Sequence, residues 1–475
     1  MDLSEYLKGL PGVSLEERPG FFAVENPATV EPIAYVRDQG SDDAEQVVAK
    51  AVEQQVNWEA TAPRARADIL MRTRELMLRD ADELAALMSA ENGKSQADAS
   101  AEVVYAAEFF RWYGEESIRP GGDFGVAPAG GTRTLVTSRP VGVAALVTPW
   151  NFPAAMATRK IAPALAAGCA ALLKPAHETP LTALAIIRLL HEAGLPEGLV
   201  APVVGENAGA IVSTWMQDRR VRKISFTGST GVGRLLLHQA ADRIMNSSME
   251  LGGAAPFIVT ASADVDDAVD GAMLAKFRNA GQACTAANCI FVHSSKLEEF
   301  AGKFGARVEA LNVGAAADGA DMGPLITAAA REKVAGRVKT ALSEGARVAY
   351  QGPTPDLPGH FHAPTVLLDV AMGSELVWTE TFGPIAPVVS FDSIDDLLTD
   401  LAGLEYGLSA YVYAEMGEGL RLAEKLDCGM VGVNRGIISD PAAPFGGTKQ
   451  SGIGREGARL GLEEFLEPKY FSIAW

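Results

Sequence analysis

Gly142-Val143-Ala144-Ala145-Leu146-Val147-Thr148-Pro149-Trp150-Asn151-Phe152-Pro153 is the stretch that decides the fold class. Its apolar run, opened by a glycine and closed by a Thr-Pro turn, reads as a buried strand, and the residues beyond Pro153 read as a helix. The same order recurs downstream. Ala170-Ala171-Leu172-Leu173 is a strand and residues 182–192 a helix; Lys223-Ile224-Ser225-Phe226 is a strand, with a helix from about Gly231. A second such region opens near Gly252, with Pro256-Phe257-Ile258-Val259 as a strand and 264–279 as a helix, and alternates to about Gly432. Alternating strands and helices imply parallel sheets, hence an α/β fold. Upstream, residues 41–119 read as helical, with apolar residues such as Ala67, Leu70, Leu76 and Leu84 among Ala, Glu and Arg. Pro120-Gly121-Gly122 and Pro128-Ala129-Gly130-Gly131 break that pattern, and 132–140, rich in Thr, Val and Ser, fits a strand.

A chain of 475 residues exceeds one ordinary core and suggests two or three domains, and 48% hydrophobic with 21% charged residues is a soluble globular composition. The formal net charge of −19 disfavours nucleic acid and anionic membranes as partners. It also means that an anionic substrate would need positive charge supplied locally. Cys169, Cys284, Cys289 and Cys428 form no close pair and, with the histidines, no zinc pattern, so they read as free thiols and no metal is expected. The amino terminus carries no signal-peptide pattern, and the longest apolar run, 161–173, contains Pro163 and is shorter than a membrane span. The expected location is the cytoplasm.

Cys284 follows a helix in the polar stretch Arg278-Asn279-Ala280-Gly281-Gln282-Ala283, a setting for an accessible thiol as much as for a packed one. Glu250 meets Gly252-Gly253 and is either a solvated turn residue or, with a thiol nearby, the base that hydrolyses an acyl-enzyme. Asn151 stands at the carboxyl end of a parallel strand, where α/β proteins bind ligands; it is either a helix cap or an oxyanion donor. Phe226-Thr227-Gly228-Ser229-Thr230-Gly231-Val232-Gly233 is a glycine-rich strand-to-helix loop suited to a diphosphate, though not in GxGxxG order. Lys174-Pro175-Ala176-His177-Glu178 ends another strand with groups that suit a ribose or a phosphate, or merely solvent.

Taken in order, Pro149-Trp150-Asn151-Phe152-Pro153, Phe226-Thr227-Gly228-Ser229-Thr230, Glu250-Leu251-Gly252-Gly253, Gly281-Gln282-Ala283-Cys284, Glu380-Thr381-Phe382-Gly383-Pro384 and Pro444-Phe445-Gly446-Gly447 resemble the aldehyde dehydrogenase superfamily across most of the chain. The resemblance implies an aldehyde dehydrogenase-like fold with three parts. These are a Rossmann-like cofactor domain (1–121 and 141–251), an α/β catalytic domain (252–450) and a small oligomerisation sheet (122–140 and 451–475). It implies Cys284 as nucleophile, Glu250 as the hydrolytic base, and Asn151 with the Cys284 backbone N–H as the oxyanion hole. Lys174, Ala176, His177, Trp150, Gly228, Ser229, Glu380 and Phe382 are implied as the cofactor-binding set for NADP or NAD. Homodimers or tetramers are expected, because the carboxyl-terminal strand is an edge in need of a partner.

Within the superfamily the stretches 149–160, 276–282 and 436–439 before Pro444 resemble the succinate semialdehyde dehydrogenases. That resemblance implies Arg159, Arg278 and Ser439 as a clamp on the substrate carboxylate, a chemically natural role for paired arginines. The alternative is that each arginine bonds its surroundings and that the enzyme takes a broad or aromatic range of aldehydes. A catalytically silent protein that kept the fold is disfavoured by the presence of Cys284, Glu250, Asn151 and Lys174 together. Two departures stand out. Ala286 occupies the position where relatives often carry a second, redox-active Cys, so no disulfide switch is expected and Cys289 is expected to be packed. His177 replaces the Glu that NAD-specific relatives often use against the ribose 2′-hydroxyl, which favours NADP, although Glu178 next door could restore the repulsion.

Overall fold

A computed structural model describes residues 3–119 and 121–474. Met1, Asp2, Pro120 and Trp475, which belong to the expected amino terminus, chain break and carboxyl-terminal strand, lie outside the described residues. Residues 41–119 form four helices, Ser41–Ala60, Pro63–Arg79, Ala81–Asn92 and Gln96–Ser117.

A six-stranded sheet has the order Gly452–Ile453, Asn246–Glu250, Val221–Thr227, Val143–Val147, Ala170–Lys174, Val200–Pro202. All neighbours are parallel except the short edge strand Gly452–Ile453. The strand Val143–Val147 is central and almost wholly buried, as its continuous apolar run requires of a strand covered on both faces. A seven-stranded sheet has the order Arg347–Gln351, Thr365–Leu368, Ile385–Phe391, Ala287–His293, Ala255–Val259, Ser409–Tyr413, Met430–Val433. It is parallel apart from the Arg347–Gln351 edge. Each large sheet has its own buried apolar cluster.

A third, antiparallel sheet joins Leu466–Ala474, Thr132–Pro140 and Gly122–Val126. Its outer strands have one open edge each. Two small antiparallel sheets, one at residues 13–37 and one pairing Tyr406–Gly407 with Thr448–Lys449, complete the β-structure among the described residues.

This arrangement fixes the site. Asn151, Gly228 with Ser229, and Glu250 follow or close the carboxyl ends of three parallel strands of the six-stranded sheet. Gly252-Gly253 and Cys284 come just before the amino ends of Ala255–Val259 and Ala287–His293 in the other sheet. The two sheets therefore meet end to end, with the reactive side chains at the seam.

Candidate active site

The nucleophile candidate is presented by a strained turn. The expected helix over 264–279 stops at Phe277, and Arg278–Gly281 turns instead, with Asn279, Ala280 and Gly281 all left-handed (φ 50°, 54° and 73°). Two non-glycine residues in this region cost of order 1–3 kcal/mol each and persist only where the surroundings hold them. Here Asp98 Oδ2 accepts from the Asn279 N–H at 2.9 Å. The buried Gln282 side chain donates to the Asn279 and Pro324 carbonyls and accepts from the Ile326 N–H. A Cβ on Gly281 would lie 2.4 Å from the Gly383 carbonyl oxygen, so only glycine fits there.

Cys284 lines two cavities at once. The first, about 170 Å³, is bounded by Tyr105, Arg159, Arg278, Ser439 and Phe445. The second, about 330 Å³, is bounded by Trp150, Asn151, Gly228, Ser229, Glu250 and Glu380, with Phe382 beside them. The expected substrate residues thus gather on one side of the thiol and most of the expected cofactor residues on the other. Lys174, Ala176 and His177 do not line the second cavity but stand at the end of the neighbouring strand Ala170–Lys174. Lys174 is buried, donates to the Pro175 carbonyl at 2.8 Å, and is pulled down to about pKa 8 by burial. His177 is half-buried, with Nδ1 3.4 Å from Glu178 Oε2 and its ring edge-on to Phe22.

Asn151 does not cap the following helix. The cap position of Pro153–Ala167 is Phe152, and the Asn151 amide instead donates to the Gln282 carbonyl at 3.1 Å, next to the nucleophile's turn. Ser229 lines the second cavity and caps the helix Thr230–Ala241, accepting from the Val232 N–H at 3.5 Å. A Cβ on Gly228 would run into the Phe226 ring at 2.5 Å, so the loop keeps its backbone bare. Trp150 and Phe382 pack edge to face with centroids 5.5 Å apart.

Glu250 is buried and neither carboxylate oxygen has a hydrogen-bond partner. Burial, reinforced by Glu456, pushes its pKa up to about 8 against the pull of Arg159 and Lys160. Burial and then Glu250 push the Cys284 thiol well up, with Arg159 opposing. Glu380, half-buried, is pushed up to about 7, chiefly by desolvation.

The two arginines differ. Arg159 is held by Glu456 Oε2 at 3.3 Å and by the Tyr105 hydroxyl at 3.3 Å, with its guanidinium 4.1 Å from the centre of the Phe445 ring. Lys160 shares the same carboxylate, so Glu456 stays ionised although buried. The Arg278 side chain makes no hydrogen bond or ion pair among the described residues; its guanidinium rests 5.1 Å from the Phe152 ring centre, facing the first cavity.

Three features were not found by reading the sequence: Tyr105 in the first cavity, Lys333 beside the second, and Glu456 behind Arg159. Asp98, Glu102 and Tyr105 recur at helical spacing on Gln96–Ser117, a visible pattern, but it does not say that this face looks into a cavity. Cys289 is packed in the core of the seven-stranded sheet, as expected. Among the described residues no group of three or more His, Cys, Asp and Glu could hold a metal ion, and no helix is long and apolar enough to cross a membrane.

Comparison with known proteins places the chain in a family. The chain is 46% identical to a probable NADP(+) succinate-semialdehyde dehydrogenase of Sinorhizobium fredii, over 99% of this chain and 96% of that one. It is 46% identical to a 3-sulfolactaldehyde dehydrogenase of Pseudomonas putida, over 95% and 93%. Its structure superposes on the crystal structure of succinate-semialdehyde dehydrogenase from Burkholderia pseudomallei with a TM-score of 0.94 at 43% identity, covering 96% of this chain and 95% of that one. The model of the aldehyde dehydrogenase family matches residues 15–471, and the chain belongs to that family.

Proposed function

We propose that this chain oxidises a short ω-oxo acid, succinate semialdehyde or a near homologue, to the dicarboxylate, with NADP preferred over NAD. The observation that carries the substrate reading is Arg278, a guanidinium facing the thiol's cavity without a counter-ion. In a chain of net charge −19, an unpaired arginine at a half-enclosed site suits a substrate carboxylate. Ser439 and the Tyr105–Arg159 pair complete the lining.

The residues present fit a nicotinamide dinucleotide: bare Gly228 and the Ser229-capped helix start for the diphosphate, and Glu380 and Lys174 for ribose hydroxyls. The position of His177, with no carboxylate of its own, supports NADP, as does the similarity to the probable Sinorhizobium NADP(+) succinate-semialdehyde dehydrogenase. When bound, the cofactor accepts the hydride. The chain's residues do the rest. The Cys284 sulfur bonds the aldehyde carbon, its proton passing to Glu250 or water. The Asn151 amide and the Cys284 N–H stabilise the resulting oxyanion without protonating it. Collapse of that oxyanion leaves a thioester on Cys284. Glu250 then takes a proton from the water that adds to the thioester, and the C–S bond breaks to release the acid.

We divide the chain as read above: 1–121 with 141–251 for the cofactor, 252–450 for catalysis, 122–140 and 451–475 for assembly into dimers or tetramers. The half-open third sheet supports the assembly, and the free thiols support a cytoplasmic setting.

One observation favours a second reading, a broader aldehyde dehydrogenase: Arg159 is already engaged by Glu456. Kinetics on succinate semialdehyde and butanal, with NADP and NAD, decide between them. The carboxylate reading expects at least a tenfold preference for the acid. It also expects R278L to lower the acid's kcat/KM about 10- to 100-fold, as loss of a charged hydrogen-bonding partner does, with butanal affected far less. Equal rates on the two aldehydes in the parent enzyme would leave only the broad reading.

A further inference from the structure

The buried ion pair beside the oxyanion loop is not used by the chemistry above. Lys94 is 1% exposed, among the largest fully buried side chains in the molecule. Its ammonium makes an ion pair with Glu102 Oε2, donates to the backbone carbonyl of Asn151 at 2.9 Å, and lies 4.1 Å from the centre of the Phe152 ring. The other oxygen of Glu102 accepts from the N–H groups of Ala154 and Ala155, at 3.0 and 3.1 Å, in the first turn of Pro153–Ala167. One ion pair therefore grips the chain on both sides of Asn151 and Phe152.

Neighbouring groups extend the grip. Asn92 donates to the Trp150 carbonyl at 3.1 Å, and Asn279, from the strained turn, donates a second hydrogen bond to the Asn151 carbonyl at 2.8 Å. Gly93, between Asn92 and Lys94, has φ 87° and would place a Cβ 2.8 Å from both Pro27 and Pro324, so the turn has no room to relax. For stability alone an apolar pair of similar volume would serve as well, because burying two charges costs about what their attraction returns. What an apolar pair lacks is direction: without Lys94 the Asn151 carbonyl keeps one donor, Asn279, instead of two, and the peptide plane beside the Asn151 side chain is held less tightly.

We propose that Lys94, braced by Glu102, is a positioning residue for the oxyanion hole, holding the Asn151 amide against the carbonyl oxygen of the substrate during attack and hydride loss. This rests on the reading of Asn151 as the oxyanion donor. A misplacement near 1 Å is enough to cost about a hundredfold in rate.

The test uses K94M/E102Q, which removes the charge pair without leaving a lone buried ion and keeps an acceptor for Ala154 and Ala155. It is compared with the parent and with N151A, on succinate semialdehyde and on butanal, each with hydrogen or deuterium on the aldehyde carbon. We expect kcat/KM to fall about 10- to 100-fold on both aldehydes alike. The deuterium isotope effect on kcat/KM should rise and the KM for NADP should stay put. A purely structural role would lower the fraction of titratable Cys284 and the melting temperature but leave the isotope effect per active site unchanged, and that result overturns the proposal. So does a kcat/KM within threefold of the parent. If the double variant does not fold, K94L/E102Q, which likewise leaves no lone buried charge and keeps the acceptor for Ala154 and Ala155, is read by the same criteria. An N151A variant with parental kinetics would instead overturn the oxyanion reading itself.

Discussion

At Glu250, burial and chemistry pull in opposite directions. A carboxylate without hydrogen bonds in a buried pocket is a poor ion, and its pKa is pushed up to about 8. Only the ionised form can take a proton from water. Thioester hydrolysis should therefore rise with pH as Glu250 loses its proton, with a midpoint near 8, and flatten above it. E250Q should lose about 10²- to 10⁴-fold in turnover and lose that midpoint, measured as kcat against pH under saturating substrate and cofactor. If the midpoint survives in E250Q, the titrating group lies elsewhere. Cys284, Glu250 and Asn151 were legible because each is a reactive residue type set in a distinctive local stretch. Tyr105 and Glu456 were not, since a Tyr amid a helix and a Glu in a glycine-rich tail have nothing local to mark them. Their significance arises from Arg159, 54 and 297 residues away in sequence.

Elements were read well where the local residue pattern is strong. The strands Thr132–Pro140 and Val143–Val147 fall where the sequence places them. The helix expected over 264–279 is shorter because long-range contacts from Asp98, Pro324 and Ile326 stabilise the turn at 279–281 that local propensity opposes. The helix Leu181–Glu192 shows the same dependence. It begins at Pro180 with no capping side chain of its own, and its first N–H groups, Leu181 and Thr182, are taken at 2.7 and 2.8 Å by Glu91, buried 90 residues upstream. E91A should leave two buried donors unsatisfied and destabilise the protein by about 2–4 kcal/mol, seen as a lower midpoint in urea. A change below about 0.5 kcal/mol would show that water replaces the carboxylate.

On the scale of the whole molecule, the third sheet is the part least able to stand alone. Val126 and Tyr470 are 58% and 60% exposed on its outer strands, each of which has an unpaired edge. Light scattering should give a mass that is a multiple of 50.0 kDa, and V126D/Y470D should shift it toward a single chain; a monomeric parent would end the assembly reading. By itself the sequence determined the α/β class and the family, and it singled out the thiol and the carboxylate as candidates, because those reside in periodicity and in short stretches whose residue types are chemically constrained. Only the tertiary structure decided that Cys284 stands between two cavities, that Asn151 braces the turn before Cys284 instead of capping a helix, and that the Arg278 side chain has no ion pair among the described residues while Arg159 is shared with Glu456. Those facts depend on which strand ends meet at the seam between two sheets. Such distances are set by packing between segments more than a hundred residues apart, and no local pattern encodes them.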